Sequence, residues 1–128
     1  RVEFAGWTTS AYAWTGADAG LVLSDALIEG FGMSAMEAMS YGLPVIATRN
    51  GALPEFVKSG ENGFLVEPRD DLAVADAIRH YVTDPDLWAL HGRNAASTSE
   101  EFDIRRVAAR YQALLASVCS TGSAHESQ

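Results

Sequence analysis

Short, unbroken apolar runs alternate with stretches of helical period along this chain, and few architectures accept that alternation. Gly20-Leu21-Val22-Leu23, Leu43-Pro44-Val45-Ile46-Ala47-Thr48 and Phe64-Leu65-Val66 are typical of strands buried on both faces. Val2 to Trp7 is a fourth strand candidate. Helices are predicted as one turn at Ser10–Thr15, at Met33–Tyr41 with a stop at Gly42, and at Leu53–Val57 with Pro54 in its first turn. Three more are opened by Asp70 or Asp71, by Asp84-Pro85 and by Asp103. Their expected buried positions are Leu72, Ala75, Ile78 and Val82, then Leu87, Trp88 and Leu90, then a stripe of Ile104, Val107, Tyr111, Leu114, Leu115 and Val118. Strands alternating with helices predict an α/β fold, a Rossmann-like parallel sheet flanked by helices. A complete domain of this kind has about six strands, so the four counted here predict that one or two precede Arg1. Residues 1–119 are therefore read as one domain lacking its first strands, and the small, polar residues 120–128 as a disordered tail.

Charge narrows the function classes. Lys and Arg number 9 against 17 Asp and Glu, a formal net charge of -8. Such a surface repels phosphate backbones and anionic lipid, so neither nucleic acid nor membrane contact is expected from this segment. No run reaches the ~20 apolar residues of a membrane-spanning helix. A single cysteine, Cys119, has no internal disulfide partner and fits a reducing, cytoplasmic setting. His80, His91 and His125 are scattered, read as solvated residues, and lack the close spacing of metal ligands.

The chemistry concentrates in Glu29-Gly30-Phe31-Gly32-Met33-Ser34-Ala35-Met36-Glu37-Ala38-Met39, which joins a buried strand to a helix. Open α/β sheets bind ligands there, at the carboxyl ends of strands. The first N–H groups of a helix have no internal partner, and with the helix dipole they suit a diphosphate. Gly30 and Gly32 let a ligand approach the main chain. Glu29 and Glu37 frame the loop, and a carboxylate can accept hydrogen bonds from two vicinal hydroxyls. The pair suits a diphosphate flanked by two sugars, as in a nucleoside-diphosphate sugar. A plainer reading exists for each residue. Ser34-x-x-Glu37 matches a capping box, Glu29 can be an ordinary loop carboxylate, and Met33, Met36 and Met39 at helical spacing fit a core.

The stretch EGFGMSAMEAMSYGLPVIAT resembles the signature of the group-1 retaining glycosyltransferases, E-G-F-G-x-x-x-x-E-A-M-x-x-G-x-P-V-I-A. NGALPEFVKSGENGFLVEPRD resembles that family's later G-G-x-x-E, its following turn and strand, and its helix-opening Asp. The resemblance covers roughly residues 2 to 115. It implies a partial C-terminal domain of a GT-B fold, in which Glu29 contacts the donor sugar as the catalytic carboxylate. Glu37 then takes the ribose, and Gly30, Phe31, Gly32 and Met33 meet the sugar and diphosphate, with Gly51 and Glu55 beside them. It implies no metal and no cofactor beyond a UDP-, GDP- or ADP-sugar donor. The leaving diphosphate is met partly by a basic residue upstream of this segment. An acceptor sugar, lipid or small molecule is expected to bind through a missing N-terminal domain, without which the chain is expected to be inactive. Two departures stand out: Ser24-Asp25-Ala26-Leu27-Ile28 replaces the family's Pro-Ser before the first Glu, and Ala52 replaces the second glycine of G-G-x-x-E. Alternatives are a non-catalytic nucleotide-sugar-binding or interaction module of the same fold, and a phosphorylase or epimerase built on it.

Overall fold

The computed structural model of the chain describes residues 22–24 and 29–122. The strand predicted over 2–7, the helical turn over 10–15, His125 and the departure at Asp25–Ile28 lie outside the described residues. Among the described residues three strands form a parallel sheet in the order β1 (Val22–Ser24), β2 (Val45–Thr48) and β3 (Gly63–Val66). Val22 pairs with Val45, and Val45 in turn with Gly63. Helix α1 (Met33–Ser40) links β1 to β2, and the single turn α2 (Leu53–Phe56) links β2 to β3. Helices α3 (Asp71–Thr83), α4 (Pro85–Glu100) and α5 (Ile104–Gly122) follow.

Period-2 alternation along the strands builds two cores, one on each face of the sheet. Val45 and Ala47 of β2 pack with Met36 and Met39 of α1, Leu53 and Phe56 of α2 and Ala95 of α4. Ile46 points the other way and packs with Val66, Ala77 and Tyr81, against partly buried Phe64 and Trp88. All four residues of β2 are buried, as expected of a parallel strand covered on both sides. The Rossmann-like α/β reading holds, with element boundaries shifted by a residue or two.

Which faces of α3 and α4 are buried differs from the expectation. Leu72 and Val82 are 83% and 74% exposed, and Ala75 is also exposed. The buried stripe of α3 is instead Ala77 and Tyr81, flanked by Val74 and Ile78. Both stripes obey the helical period, and the buried one is the side that meets Phe64 and Ile46. Asp70 caps the helix, accepting the Ala73 N–H at 2.9 Å. In α4, Leu90 is 44% exposed while His91, Gly92 and Ala95 are buried. The stripe expected on α5 exists as a helical face, but Ile104, Tyr111, Leu114, Leu115 and Val118 are all exposed. Helix α5 also runs to Gly122, past the Cys119 boundary. Among the described residues no helix is long and apolar enough to cross a membrane.

His91 corrects a second expectation: it is fully buried rather than solvated. Its Nδ1 lies 2.8 Å from the Tyr81 hydroxyl, and Phe64 packs against both rings. Nε2 has no hydrogen-bond partner among the described residues. Burial holds the imidazole pKa below its ordinary value, outweighing an opposing pull from the Gly60 backbone that is too poorly placed to count as a hydrogen bond. Burial likewise pushes the Tyr81 phenol up. The unfolded chain thus takes up a proton at His91 before the native state does. The contribution of this neutral, buried imidazole to native stability is complete above about pH 6.5 and declines as pH falls below it. Thermal unfolding followed from pH 8 to pH 5 should show that decline, and His91→Gln should remove it. An unchanged profile in the variant would assign the decline to other groups.

Candidate functional site

The three strands end on one edge of the sheet because they run parallel, and the loops that leave β1 and β2 meet there. Their meeting is a main-chain contact. The Ala52 N–H donates to the Gly30 carbonyl at 3.1 Å. Gly51, at φ +52°, lies so close to the first loop that a Cβ on it would sit 1.9 Å from the Glu29 carbonyl oxygen and 2.9 Å from that of Gly30. Only glycine fits, by conformation and by space. The β2–α2 turn therefore acts as a buttress for Glu29 and Gly30. Thr48, at the end of β2, is buried, and Arg49 next to it donates its N–H to the Val66 carbonyl at 2.7 Å, tying β2 to β3 on the same edge.

Gly32 forms the entrance to α1. It is the N-cap residue, in the left-handed region at φ +89°, and no side chain caps the helix. A Cβ there would meet Leu53 Cδ2 at 2.6 Å. The capping box read from Ser34 and Glu37 does not form, because Ser34 is already the second helical residue. The opening N–H groups of α1 thus lack an intrahelical partner and, among the described residues, a capping side chain. No acidic residue lies in the first turn to oppose an anion there.

Around this entrance Gly30, Phe31, Met33 and Ser34 are exposed and Glu29 is half-buried. Gly30 is open in another sense, since among the described residues an added Cβ would meet nothing within 4 Å. Glu37 is exposed, about 6 Å along the axis from Met33 and on the same helical face. It opens onto a groove of about 490 Å³ lined on one side by Met33, Met36 and Ser40 and on the other by Phe102 and Asp103. That volume is in the range of small-ligand sites. Met36 and Met39 are core residues, whereas Met33 is 69% exposed. Glu55 stands exposed in the first turn of α2, a position favoured for an acid by the helix dipole.

The sequence-based reading of the site omits Phe102. Its ring lies 5.8 Å from Phe31 and 5.8 Å from Phe56, and Phe31 and Phe56 are 5.4 Å apart. No local signal marks it, since its partners lie far back in the chain. The reading also omits Asn62, buried and bonded to the Phe56 carbonyl at 2.9 Å, to Thr98 Oγ1 at 3.0 Å and, through its carbonyl, to the Lys58 N–H at 2.7 Å. Asn62 locks α2 to α4 beneath the loop pair.

Residues 2–98 match the family described as glycosyl transferases group 1. Sucrose-phosphate synthase 4 of Arabidopsis thaliana is 41% identical over 83 residues, which is 65% of this chain and 8% of that protein. The chain thus spans less than a tenth of the length of that relative. Among solved structures, a sucrose-phosphate synthase from Thermosynechococcus elongatus superposes with a TM-score of 0.71 at 31% identity, covering 79% of this chain and 26% of that one. Anabaena HepE, solved in complex with UDP-glucose, superposes with a TM-score of 0.68 at 32% identity, over 76% of this chain and 27% of that one.

Proposed function

The chain belongs to the group 1 glycosyl transferases, and from that premise we propose that it forms the donor side of a two-domain, GT-B enzyme that moves a sugar from a nucleoside diphosphate to an acceptor with retention. The observation that carries this reading is the loop Glu29–Gly32, held by the β2–α2 turn at the carboxyl edge of a parallel sheet and leading into an uncapped helix. The diphosphate sits at the α1 N-terminus, where main-chain N–H groups of Gly32 and Met33 meet it. Glu37 accepts from the ribose hydroxyls. Glu29 faces the transferred sugar, Gly30 and Phe31 shape its bed, and Gly51 and Glu55 border it. As the glycosidic bond to the diphosphate breaks, negative charge grows on the leaving group, and fixed N–H dipoles stabilise it without reorganising. The reading calls for no metal. A basic side chain outside this segment completes the charge balance, and a further domain brings the acceptor. HepE's complex with UDP-glucose supports a UDP-sugar as the first donor to try.

The test is calorimetry on the full protein that carries this chain, with UDP, GDP and ADP sugars, followed by the anomeric configuration of the product. One nucleotide should bind, and Glu37→Ala should weaken it by roughly tenfold or more, as loss of a charge-assisted hydrogen bond does. The 128 residues alone should bind weakly and turn over nothing. No affinity for any nucleotide, or an inverted product, would overturn the reading.

A further inference from the structure

We infer that Phe102, at the elbow between α4 and α5, is a positioning residue for the Gly30–Met33 loop and through it for the donor, an inference that rests on the donor reading above. Phe31 stands between two glycines, one at which an added Cβ would meet no described atom within 4 Å and the other with a left-handed backbone. Such a segment has few restraints of its own. Its far side is held by the Gly51–Ala52 turn. Its near side is held by the Phe31 ring, which lies against Phe56 and Phe102 in a three-ring cluster with all centroids 5.4–5.8 Å apart.

The three rings have different duties. Phe56 is 1% exposed and belongs to the core. Phe31 and Phe102 are 39% and 36% exposed and sit over it at the surface. Phe102 is therefore the ring that can be removed without hollowing the core. Its own backbone is well fixed: its N–H donates to the Ser99 carbonyl at 3.0 Å, and Asp103 beside it accepts the Arg105 N–H at 2.8 Å and pairs with the Arg105 guanidinium. A fixed elbow pressing one ring against the loop, on the side opposite the Gly51–Ala52 turn, is how a precise site is supported from outside its own residues. Phe102 also faces the groove onto which Glu37 opens, so the elbow reaches both ends of the proposed donor site.

The experiment uses the full protein and Phe102→Ala, with two readouts. Hydrogen exchange of the amides of 30–36 should quicken at least threefold while that of α3 stays unchanged. The KM for the sugar donor should rise roughly three- to tenfold, the measure of one lost aromatic pair, with the KM for the acceptor unchanged. Phe102→Tyr should restore both. Phe102→Leu keeps the apolar bulk and loses the ring, so it gives the same readings should the alanine variant fold poorly. Unchanged exchange in 30–36 overturns the inference, as does a loosened loop with an unchanged donor KM. A wild-type protein that binds no nucleotide sugar sinks the donor reading instead, and the exchange comparison still decides whether Phe102 holds the loop.

Discussion

Gly51→Ala should destabilise the protein by about 2–5 kcal/mol and lower kcat/KM by roughly a hundredfold. The stability figure joins about 1–2 kcal/mol for placing a Cβ-bearing residue in the left-handed region to about 1–3 kcal/mol for forcing atoms into occupied space. The added methyl would sit 1.9 Å from the Glu29 carbonyl oxygen, against the 3.0 Å below which real contacts are essentially not seen. Either the turn or the Glu29–Gly30 main chain must retreat by ~1 Å, a displacement that can cost 10²-fold in rate when the moved groups align substrate. Gly30→Ala is the comparison. With nothing among the described residues within 4 Å of the new methyl, stability should stay within about 0.5 kcal/mol, so a loss of donor affinity there reports on ligand approach. Urea unfolding and steady-state kinetics on both variants separate the effects. A Gly51→Ala protein as stable and as active as the parent would remove the buttress from the account.

The contrast between those glycines bears on what a sequence can convey. Gly30, Gly32 and Gly51 all stand out as loop glycines, yet their duties differ and no local pattern distinguishes them. Gly51 is constrained by the main chain of residues far before it, and Gly32 by Leu53. The strands and α1 were legible because a doubly covered parallel strand must be apolar at every position, as Val45 to Ala47 are. The face of α3 was not legible. Its apolar residues support two stripes, and two strongly apolar side chains, Leu72 and Val82, lie on the stripe left in solvent. Tyr81, with a polar end, is the residue taken inside, because His91 across the interface gives its hydroxyl a partner. Two polar rings that bond to each other leave no trace in hydropathy. Phe102 was missed for a related reason: its role exists only through Phe31 and Phe56. The capping box at Ser34 was a false local signal, overridden by a glycine two residues earlier whose left-handed backbone already starts the helix.

Glu29→Gln should lower kcat by roughly 10²–10³-fold, the range seen when one preorganised electrostatic contact to a transition state is lost, while leaving the fold intact. Glutamine keeps the size and most of the hydrogen-bonding shape of glutamate, so a half-buried position beside the Gly51 turn should accept it without repacking. What disappears is the negative charge. A sugar leaving its diphosphate develops positive character at the ring, and a carboxylate nearby stabilises that state more than the neutral ground state, which is the condition for an effect on kcat rather than on binding. Glu37 gives the opposite pattern in the same account. Under the proposed reading it serves the ribose, which is unchanged between ground and transition states, so Glu37→Gln should raise the donor KM and weaken binding of the free nucleotide with little change in kcat. The crossed comparison is decisive because both residues flank one helix entrance and both substitutions remove one charge. Measuring nucleotide affinity by calorimetry and kcat with saturating donor on each variant resolves it. If Glu29→Gln leaves kcat within twofold, or if both variants weaken the nucleotide equally, the two carboxylates are not divided between sugar and ribose, and the donor must lie differently along the groove.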